Sequence, residues 1–269
     1  FLCDKTIDEL IVPTEKTKEL FKDKYKVKRD VYVIPSGIDT TRFYKENIDK
    51  NEIINLKKDL GLKKTDFIVL YVGRIAKEKS IDFLINNFNS VLNRIPKAKM
   101  IIVGDGPDIK DLIDLTRKKG LENKIIFTGK APWTDVPKYY SLCDLFVTAS
   151  KTETQGLTVM EAMGASKPVV AIRDESFELM ITDKKDGLFF DDEKSYVDMI
   201  YEVYKNKKLR DEISFNARLT ADKYSPCNYA KNVLKVYDKV ISKDTNVVKK
   251  VVHNVKKIFT KSGGKKWKN

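Results

Sequence analysis

Histidine and cysteine are nearly absent from this chain. Its one histidine is His253, and its three cysteines, Cys3, Cys143 and Cys227, lie far apart in no metal-binding spacing. We therefore expect neither a Ser-His-Asp triad nor a metal site within the chain, and any catalytic histidine would have to come from elsewhere. An odd number of scattered cysteines favours a reduced, cytoplasmic setting.

Long apolar runs and targeting signals are also missing. No stretch of about 18 apolar residues occurs, so the sequence predicts no membrane-spanning helix, and its start shows no signal-peptide pattern. The first residue is Phe1 rather than methionine, so we expect sequence upstream of it to be missing. With 269 residues, 42% of them hydrophobic and 10% aromatic, the chain can build a packed core in one large domain or two small ones.

Negative charge is in the minority, and the positive excess is unevenly spread. The formal net charge is +13, of which residues 243–269 supply +8 through nine lysines and one aspartate. The other 242 residues carry only +5. A basic excess indicates an anionic partner such as nucleotide phosphates, lipid head groups or nucleic acid. Because the charge is concentrated in the tail, most of it does not concern the core.

Strand-like and helix-like segments alternate along the body of the chain. The predicted strands are Phe67–Val72, Met100–Val103, Lys124–Thr128, Leu145–Ala149, Pro168–Ile172 and Gly187–Phe190. The predicted helices are Ile81–Ile95, Ile109–Lys118, Val136–Leu142 and Leu157–Gly164, followed by a helical region from Glu193 to about Ser242. This alternation predicts an α/β fold, a Rossmann-like parallel sheet with helices on both faces. Its ligand crevice is expected at the carboxyl ends of the strands.

The first candidate site, Gly73–Ser80, leaves the strand Phe67–Val72 and opens the next helix. Arg74 and Lys79 stand five residues apart across this turn, where a guanidinium fork and an ammonium can converge on one diphosphate. Gly73 allows the backbone to approach a ligand closely. The alternative is a basic turn that is simply solvated.

The second candidate site is a pair of carboxylates, Glu153 and Glu161, on either side of Gly156-Leu157-Thr158. These three residues begin a helix, and the free N–H groups of a helix start bind an anion. Glu153 in the loop can accept hydrogen bonds from sugar hydroxyls, and Glu161 can accept them from ribose hydroxyls. The alternative is an ordinary amphipathic helix with Glu161 on its wet face, although apolar residues flank Glu161 on both sides.

Two further loops follow strands of the same predicted sheet. Gly104–Pro107 suits a tight structural turn better than a phosphate cradle, because it lacks the third glycine of a full glycine-rich loop. In Gly129–Trp133, the backbone of Lys130 and Ala131 could pair with the edge of a base. We expect Trp133 to pack against the following helix, although it could instead stack on a ligand.

Taken in order, these segments closely resemble the C-terminal half of the family 4 retaining glycosyltransferases of the GT-B fold, from about Ile7 to Tyr237. The resemblance rests on five segments: Val33–Asp39 for the V-I-P-N-G-I-D hinge with Ser36 for Asn, Gly73–Ser80 for G-R-L-x-x-E-K-G with Ser80 for Gly, the turn Gly104–Pro107, the E-x7-E spacing from Glu153 to Glu161, and the strand Pro168–Val170.

The resemblance implies a donor-binding role for each loop. Arg74 and Lys79 would hold the donor diphosphate, Glu153 the transferred sugar and Glu161 the ribose. The full set of implied donor contacts is Gly73, Arg74, Lys79, Lys130, Ala131, Glu153, Gly156, Leu157, Thr158 and Glu161. The donor is expected to be a UDP-sugar, with UDP-glucose first and a GDP-sugar left open. No tightly bound cofactor and no metal are expected.

Glu153, Arg74 and Lys79 are the residues implied to take part in the chemistry. The retaining mechanism of this family is usually drawn as a front-face displacement assisted by the leaving diphosphate. Arg74 and Lys79 would stabilise the charge that develops there. Glu153 is therefore either a nucleophile or only a ligand of the sugar.

The resemblance also implies a division of the chain. Residues 1–42 are expected to be a remnant of an N-terminal acceptor domain and the hinge, because their strand-helix-strand pattern (Glu9–Pro13, Glu15–Tyr25, Val31–Pro35) does not fit the repeat. Residues 43–225 are the nucleotide-sugar-binding domain, and 226–269 are a C-terminal helix and basic tail. Since the acceptor site lies mostly on the missing N-terminal domain, the chain alone is expected to be inactive.

Within the family, Thr152–Thr158 and Arg173–Phe177 are most similar to the diacylglycerol glucosyltransferases of Gram-positive bacteria, which implies a lipid acceptor. A cell-wall glycan, a protein or a small glycoside remains an alternative acceptor. So does a binding module that has lost catalysis, although the intact Arg74, Lys79, Glu153 and Glu161 argue against it.

The tail, residues 246–269, supports a membrane partner independently. At 100° per residue its apolar side chains fall within about 140° of a helical wheel and its lysines on the opposite side. The apolar residues are Val247, Val248, Val251, Val252, Val255, Ile258 and Phe259. A basic amphipathic helix suits an anionic membrane surface, here the inner face of the cell membrane. The alternative is docking on the missing N-terminal domain. Nucleic acid is not expected, because no recognition motif accompanies the charge.

Overall fold

The computed structural model describes residues 6–243 of the chain, which belong to two units. The smaller unit combines Phe1–Pro35 with Cys227–Asn269, and the larger unit is Ser36–Pro226. The predicted amphipathic helix over residues 246–269 lies outside the described residues, as does His253. No described helix has both the length and the apolar composition needed to cross a membrane.

The smaller unit contains two short parallel strands, β1 (Leu10–Val12) and β2 (Val31–Val33). Between them, helix α1 (Glu15–Glu19) starts at Thr14, whose Oγ1 accepts a hydrogen bond from Thr17 N. The helix continues as a π-helical turn, Leu20–Lys24, in which Tyr25 N donates to Leu20 O. The helix predicted for Glu15–Tyr25 is therefore present, with π-helical geometry in its second half.

The larger unit is built on a six-stranded, all-parallel sheet. Its strands are β3 (Phe67–Val72), β4 (Ala98–Val103), β5 (Ile125–Gly129), β6 (Leu145–Thr148), β7 (Val169–Ile172) and β8 (Leu188–Phe190). They lie in the order β5-β4-β3-β6-β7-β8, which is the doubly wound order of Rossmann-like folds. The predicted α/β fold with a parallel sheet is confirmed.

Helices connect these strands and cover both faces of the sheet. They are α2 (Lys50–Asp59), α3 (Ile81–Asn86), α4 (Phe88–Arg94), α5 (Ile109–Lys118), α6 (Val136–Leu142), α7 (Leu157–Gly164), α8 (Glu175–Glu178), α9 (Glu193–Lys205) and α10 (Lys207–Ala221). A further helix, α11 (Pro226–Lys243), belongs to the smaller unit from Cys227 onward. Three of them, α5, α6 and α7, have the predicted bounds. The helix predicted over Ile81–Ile95 is instead two helices, because Asn87 breaks it and its Nδ2 donates to Phe83 O.

The core lies between the sheet and these helices. All six residues of β3 are buried, as expected for a central parallel strand covered on both faces. Leu70 on β3 and Phe146 on β6 have no exposed surface, and burying each such side chain contributes roughly 1.5–3 kcal/mol.

At the carboxyl edge of the sheet, backbone hydrogen bonds join the loop after β4 to the loop after β3 and to the last residue of β5. Ile75 N donates to Asp105 O at 2.9 Å, and Gly104 N donates to Gly129 O at 3.0 Å. A Cβ atom on Gly106 would lie 2.0 Å from Ile75 O, and one on Gly104 would lie 1.8 Å from Gly73 O. The turn Gly104–Pro107 therefore has a structural role, which is to support the loop that carries Arg74.

This close approach predicts that Gly106→Ala destabilises the larger unit by about 3 kcal/mol or more, because the added Cβ meets backbone that cannot rotate away. Gly120→Ala is the matched control, since Gly120 has a positive φ but no heavy atom within 4 Å of its added Cβ. It should cost only about 1 kcal/mol of conformational strain. Urea denaturation measures both values, and equal losses in the two variants would contradict the steric role of Gly106.

Candidate functional site

The strand order reverses between β3 and β6, and the connections from these neighbouring strands run toward opposite edges of the sheet. In doubly wound sheets this reversal opens a crevice at the carboxyl ends of the two strands. The loop after β3 carries Arg74 and Lys79, and the loop after β6 carries Glu153. The fold thus brings two segments about 75 residues apart in sequence to one crevice.

Lys79 and Glu153 form an ion pair across this crevice. Lys79 Nζ lies 2.5 Å from Glu153 Oε1, and the two side chains are only 19% and 20% exposed. Lys79 ends a 3-10 turn, after which Ser80 takes a left-handed conformation with a φ of +50°. A glycine adopts this conformation freely, so serine in place of the glycine expected from the resemblance costs about 1 kcal/mol and leaves the turn in place.

Arg74 lies at the outer end of the same loop. Its side chain is 65% exposed, and Nη1 lies 3.8 Å from Glu78 Oε1. Its carbonyl oxygen accepts a hydrogen bond from the hydroxyl of Tyr71 at 3.1 Å. Burial, followed by the charges of Glu153 and Glu78, raises the pKa of Tyr71 well above its usual value, so this phenol stays protonated. The convergence of Arg74 and Lys79 on one ligand stays a prediction.

Glu161 is held inside the site rather than on a wet face. The hydroxyl of Tyr140 lies 2.9 Å from Glu161 Oε2 and 3.1 Å from Thr158 O, so its one proton is shared between two acceptors. Burial raises the pKa of Glu161, while the Tyr140 hydrogen bond and the charge of Arg42 act in the opposite direction. The alternative in which Glu161 is simply solvated is therefore wrong.

Helix α7 begins between the two carboxylates. Its N-cap is Gly156, with a φ of +72°, and no side chain of the described residues caps this helix. A Cβ atom at Gly156 would lie 2.6 Å from the ring of Phe177, so glycine is required both by conformation and by space. The first-turn N–H groups of Leu157 and Thr158 are thus available to an anion.

Three residues that were not among the predicted site residues hold the loop around Glu153. Ser176 Oγ donates to Glu153 O at 2.6 Å. Ser36 N donates to Gln155 Oε1 at 2.8 Å, and Gln155 Nε2 donates to Ser36 O at 3.2 Å. Because the Gln155 amide contacts only the backbone N and O of Ser36, no pattern of side chains in the sequence signalled this contact.

The loop after β5 shows a different arrangement from the expected one. Trp133 is 69% exposed, and the guanidinium carbon of Arg42 lies 3.0 Å from the centroid of its ring, so the predicted packing of Trp133 against the following helix is wrong. Arg42 was not among the predicted site residues, although its charge reaches both Trp133 and Glu161. Lys130 is exposed and Ala131 is half-buried. Contact of their backbone with a base stays a prediction.

No group of three or more histidine, cysteine, aspartate or glutamate side chains suited to a metal ion occurs within residues 6–243. The chemistry that the described residues offer is that of two carboxylates, one half-buried ammonium, one exposed guanidinium and an uncapped helix start. Such a set suits an anion joined to hydroxyl-bearing groups.

The chain is similar to known proteins in sequence. Residues 52–220 match the family described as "Glycosyl transferases group 1". The chain is 34% identical over 242 residues to the alpha-monoglucosyldiacylglycerol synthase of Acholeplasma laidlawii, covering 89% of this chain and 60% of that protein. It is 32% identical over 243 residues to the protein of the same name from Streptococcus pneumoniae, covering 90% and 54%. The chain thus spans between half and two thirds of the length of these curated relatives.

The fold is also similar to solved structures. The crystal structure of Anabaena Alr3699/HepE in complex with UDP and glucose superposes with a TM-score of 0.77 at 21% identity, covering 88% of this chain and 64% of that chain. The same protein in complex with UDP-glucose gives a TM-score of 0.78 at 20% identity, covering 88% and 65%. At these identities the likeness concerns the fold.

The Tyr140–Glu161 hydrogen bond generates a prediction. Tyr140→Phe should raise the pKa of Glu161 further, because burial remains while the hydroxyl that stabilises the ionised carboxylate is lost. A raised folded-state pKa means that stability falls as pH rises through it. The variant should therefore be less stable near neutral pH by about 1–2 kcal/mol and approach wild type once Glu161 is protonated.

A 13C NMR titration of the Glu161 carboxyl measures this pKa, with Tyr139→Phe as the neighbouring control. The hydroxyl of Tyr139 pairs with Thr128 instead, so that variant should leave Glu161 unchanged. Identical Glu161 titrations in wild type and Tyr140→Phe would show that the hydroxyl does not support the carboxylate.

Proposed function

Because this chain belongs to the group 1 glycosyl transferases, we propose that it is the donor-binding part of an enzyme that transfers a hexosyl group from a nucleoside diphosphate sugar to a lipid acceptor. The observation that carries this proposal is the Lys79–Glu153 pair at the strand-order reversal, in the same crevice as the uncapped start of α7. A cation, two carboxylates and free backbone N–H groups are what a diphosphate flanked by a ribose and a hexose requires.

The donor is proposed to be UDP-glucose. Lys79, Arg74 and the N–H groups of Leu157 and Thr158 bind the diphosphate. Glu161 accepts hydrogen bonds from the ribose hydroxyls, and its buried position supports this, since a buried carboxylate needs donors to stay ionised. The fold likeness to Anabaena Alr3699/HepE, solved with UDP-glucose, supports a uridine nucleotide.

Transfer is proposed to retain the configuration of the sugar. The bond between the anomeric carbon and the diphosphate oxygen breaks, and the acceptor hydroxyl oxygen bonds to the same face of that carbon. The acceptor proton passes to the leaving diphosphate. Lys79 and Arg74 stabilise the negative charge that builds up on that group, and Glu153 contacts the hexose.

The acceptor is proposed to be diacylglycerol at the inner face of the cell membrane. Two relatives that align over about nine tenths of this chain are alpha-monoglucosyldiacylglycerol synthases, which supports a glycolipid product. The acceptor site is proposed to lie on an N-terminal domain outside these residues. The chain by itself is therefore proposed to bind the donor without completing the transfer.

The donor site predicts that Lys79→Ala and Glu161→Ala each weaken UDP binding by about 10- to 100-fold, because each removes a charge-assisted hydrogen bond. Lys77→Ala is the matched control for the first variant, since it removes the same charge from the same 3-10 turn. That control should change the affinity by less than about twofold, as expected for an exposed charge.

Isothermal titration calorimetry of the chain with UDP measures these affinities. Unchanged UDP affinity in both Lys79→Ala and Glu161→Ala would refute the assigned roles. Titration with UDP-glucose, UDP-galactose and GDP-mannose then identifies the donor, and a preference for GDP-mannose would replace the uridine assignment.

Membrane attachment is proposed for residues 246–269, on the sequence pattern described above. The chain should co-sediment with vesicles containing an anionic phospholipid, and removal of residues 246–269 should abolish this, because the apolar stripe and the lysines are lost together. Vesicles of neutral phosphatidylcholine are the control and should retain much less protein. Equal sedimentation of the full and shortened chains would mean that this segment does not bind the membrane.

A further inference from the structure

The ammonium group of Lys79 has two possible partners. In the structure it pairs with Glu153 at 2.5 Å, and the proposed function assigns the same group to the donor diphosphate. We propose that Glu153 and the diphosphate compete for Lys79, so that binding of the diphosphate releases the Glu153 carboxylate to the hexose. This inference rests on the proposed function and adds an order of events to it.

The backbone around Glu153 is anchored without help from its side chain. Ser176 Oγ holds the carbonyl oxygen of Glu153 at 2.6 Å, and the side chain of Gln155 is hydrogen-bonded to the backbone of Ser36. On the other side of the pair, Lys79 N donates to Ala76 O at 2.9 Å. Both partners can therefore separate by rotating side chains alone, while the loops that carry them stay in position.

Electrostatic repulsion between the two anions favours replacement of Glu153 by the diphosphate over simultaneous binding of both to Lys79. An ammonium group has three donors, so it could in principle hold both anions at once. Sharing would keep the carboxylate within a few ångströms of the diphosphate oxygens, and the two side chains are only about one fifth exposed, so water screens the repulsion weakly. The diphosphate carries more charge and also meets the start of α7, so it displaces Glu153.

The exchange has a consequence for specificity. While Lys79 holds Glu153, the carboxylate has less capacity to accept hydrogen bonds from sugar hydroxyls. It becomes fully available only once a diphosphate has taken the ammonium. When a free hexose binds, the Glu153 carboxylate is still paired with Lys79. When the hexose is attached to a diphosphate, the carboxylate has separated from Lys79 and can accept hydrogen bonds from the sugar. Glu153 thereby favours a hexose that is attached to a diphosphate over a free hexose.

The test is the affinity of the chain for UDP, which carries the diphosphate but no hexose. Glu153→Gln should bind UDP about three- to tenfold more tightly than wild type, because the competing charge is gone. Glu175→Gln is the matched control, since Glu175 is exposed and lies next to Ser176, the residue that holds the Glu153 backbone. It should change the UDP affinity by less than about twofold.

A second variant and a second ligand complete the test. Glu153→Ala should also bind UDP more tightly, because the Ser176 and Gln155 anchors do not use the Glu153 side chain. In both Glu153 variants, the preference for UDP-glucose over UDP should fall, since the released carboxylate no longer exists to meet the hexose. Calorimetry gives all of these values.

The outcomes separate the two proposals. Wild type that binds UDP in a Lys79-dependent way, together with Glu153 variants whose UDP affinity is unchanged or lower, overturns the competition and leaves the donor site intact. Wild type that does not bind UDP overturns both. Equal gains in Glu153→Gln and Glu175→Gln also overturn the competition, because they would reflect loss of negative charge in general.

Discussion

The carboxyl edge of the sheet depends on a backbone contact that is too close for any side chain. Gly104 and Gly106 lie where added Cβ atoms would meet the carbonyl oxygens of Gly73 and Ile75. That contact places the loop after β3 directly against the turn after β4. Lys79 leaves the same loop one turn later and can therefore reach across the strand-order reversal. The polar geometry of the crevice is thus a consequence of main-chain packing next to it.

Glu153 is the point at which four separate parts of the larger unit meet. The loop after β3 reaches its side chain through Lys79, the segment after β7 holds its carbonyl oxygen through Ser176, and Ser36 holds the neighbouring Gln155. Immediately downstream, α7 starts without a side-chain cap. Other groups hold the backbone that carries this carboxylate, which is what the proposed exchange of its partner requires.

Local signals explain how much could be predicted from the sequence. β3 has the predicted bounds because a continuous apolar run is typical of a strand buried on both faces. The break at Asn87 was not predicted, because a side-chain hydrogen bond to Phe83 O leaves the apolar spacing unchanged. The Gln155–Ser36 contact joins residues 119 apart, and no local periodicity encodes it. The exposure of Trp133 escaped prediction for the same reason, since its partner Arg42 lies 91 residues away.

The Gln155–Ser36 contact also affects which substitutions related sequences can accept at position 36. The Gln155 amide accepts a hydrogen bond from the backbone N of residue 36 and donates one to its backbone O. The side chain at position 36 takes no part in either bond. Serine can replace the family's asparagine there without a compensating change at 155. Paired substitutions would therefore be absent from this contact, and a search for covarying positions would overlook it.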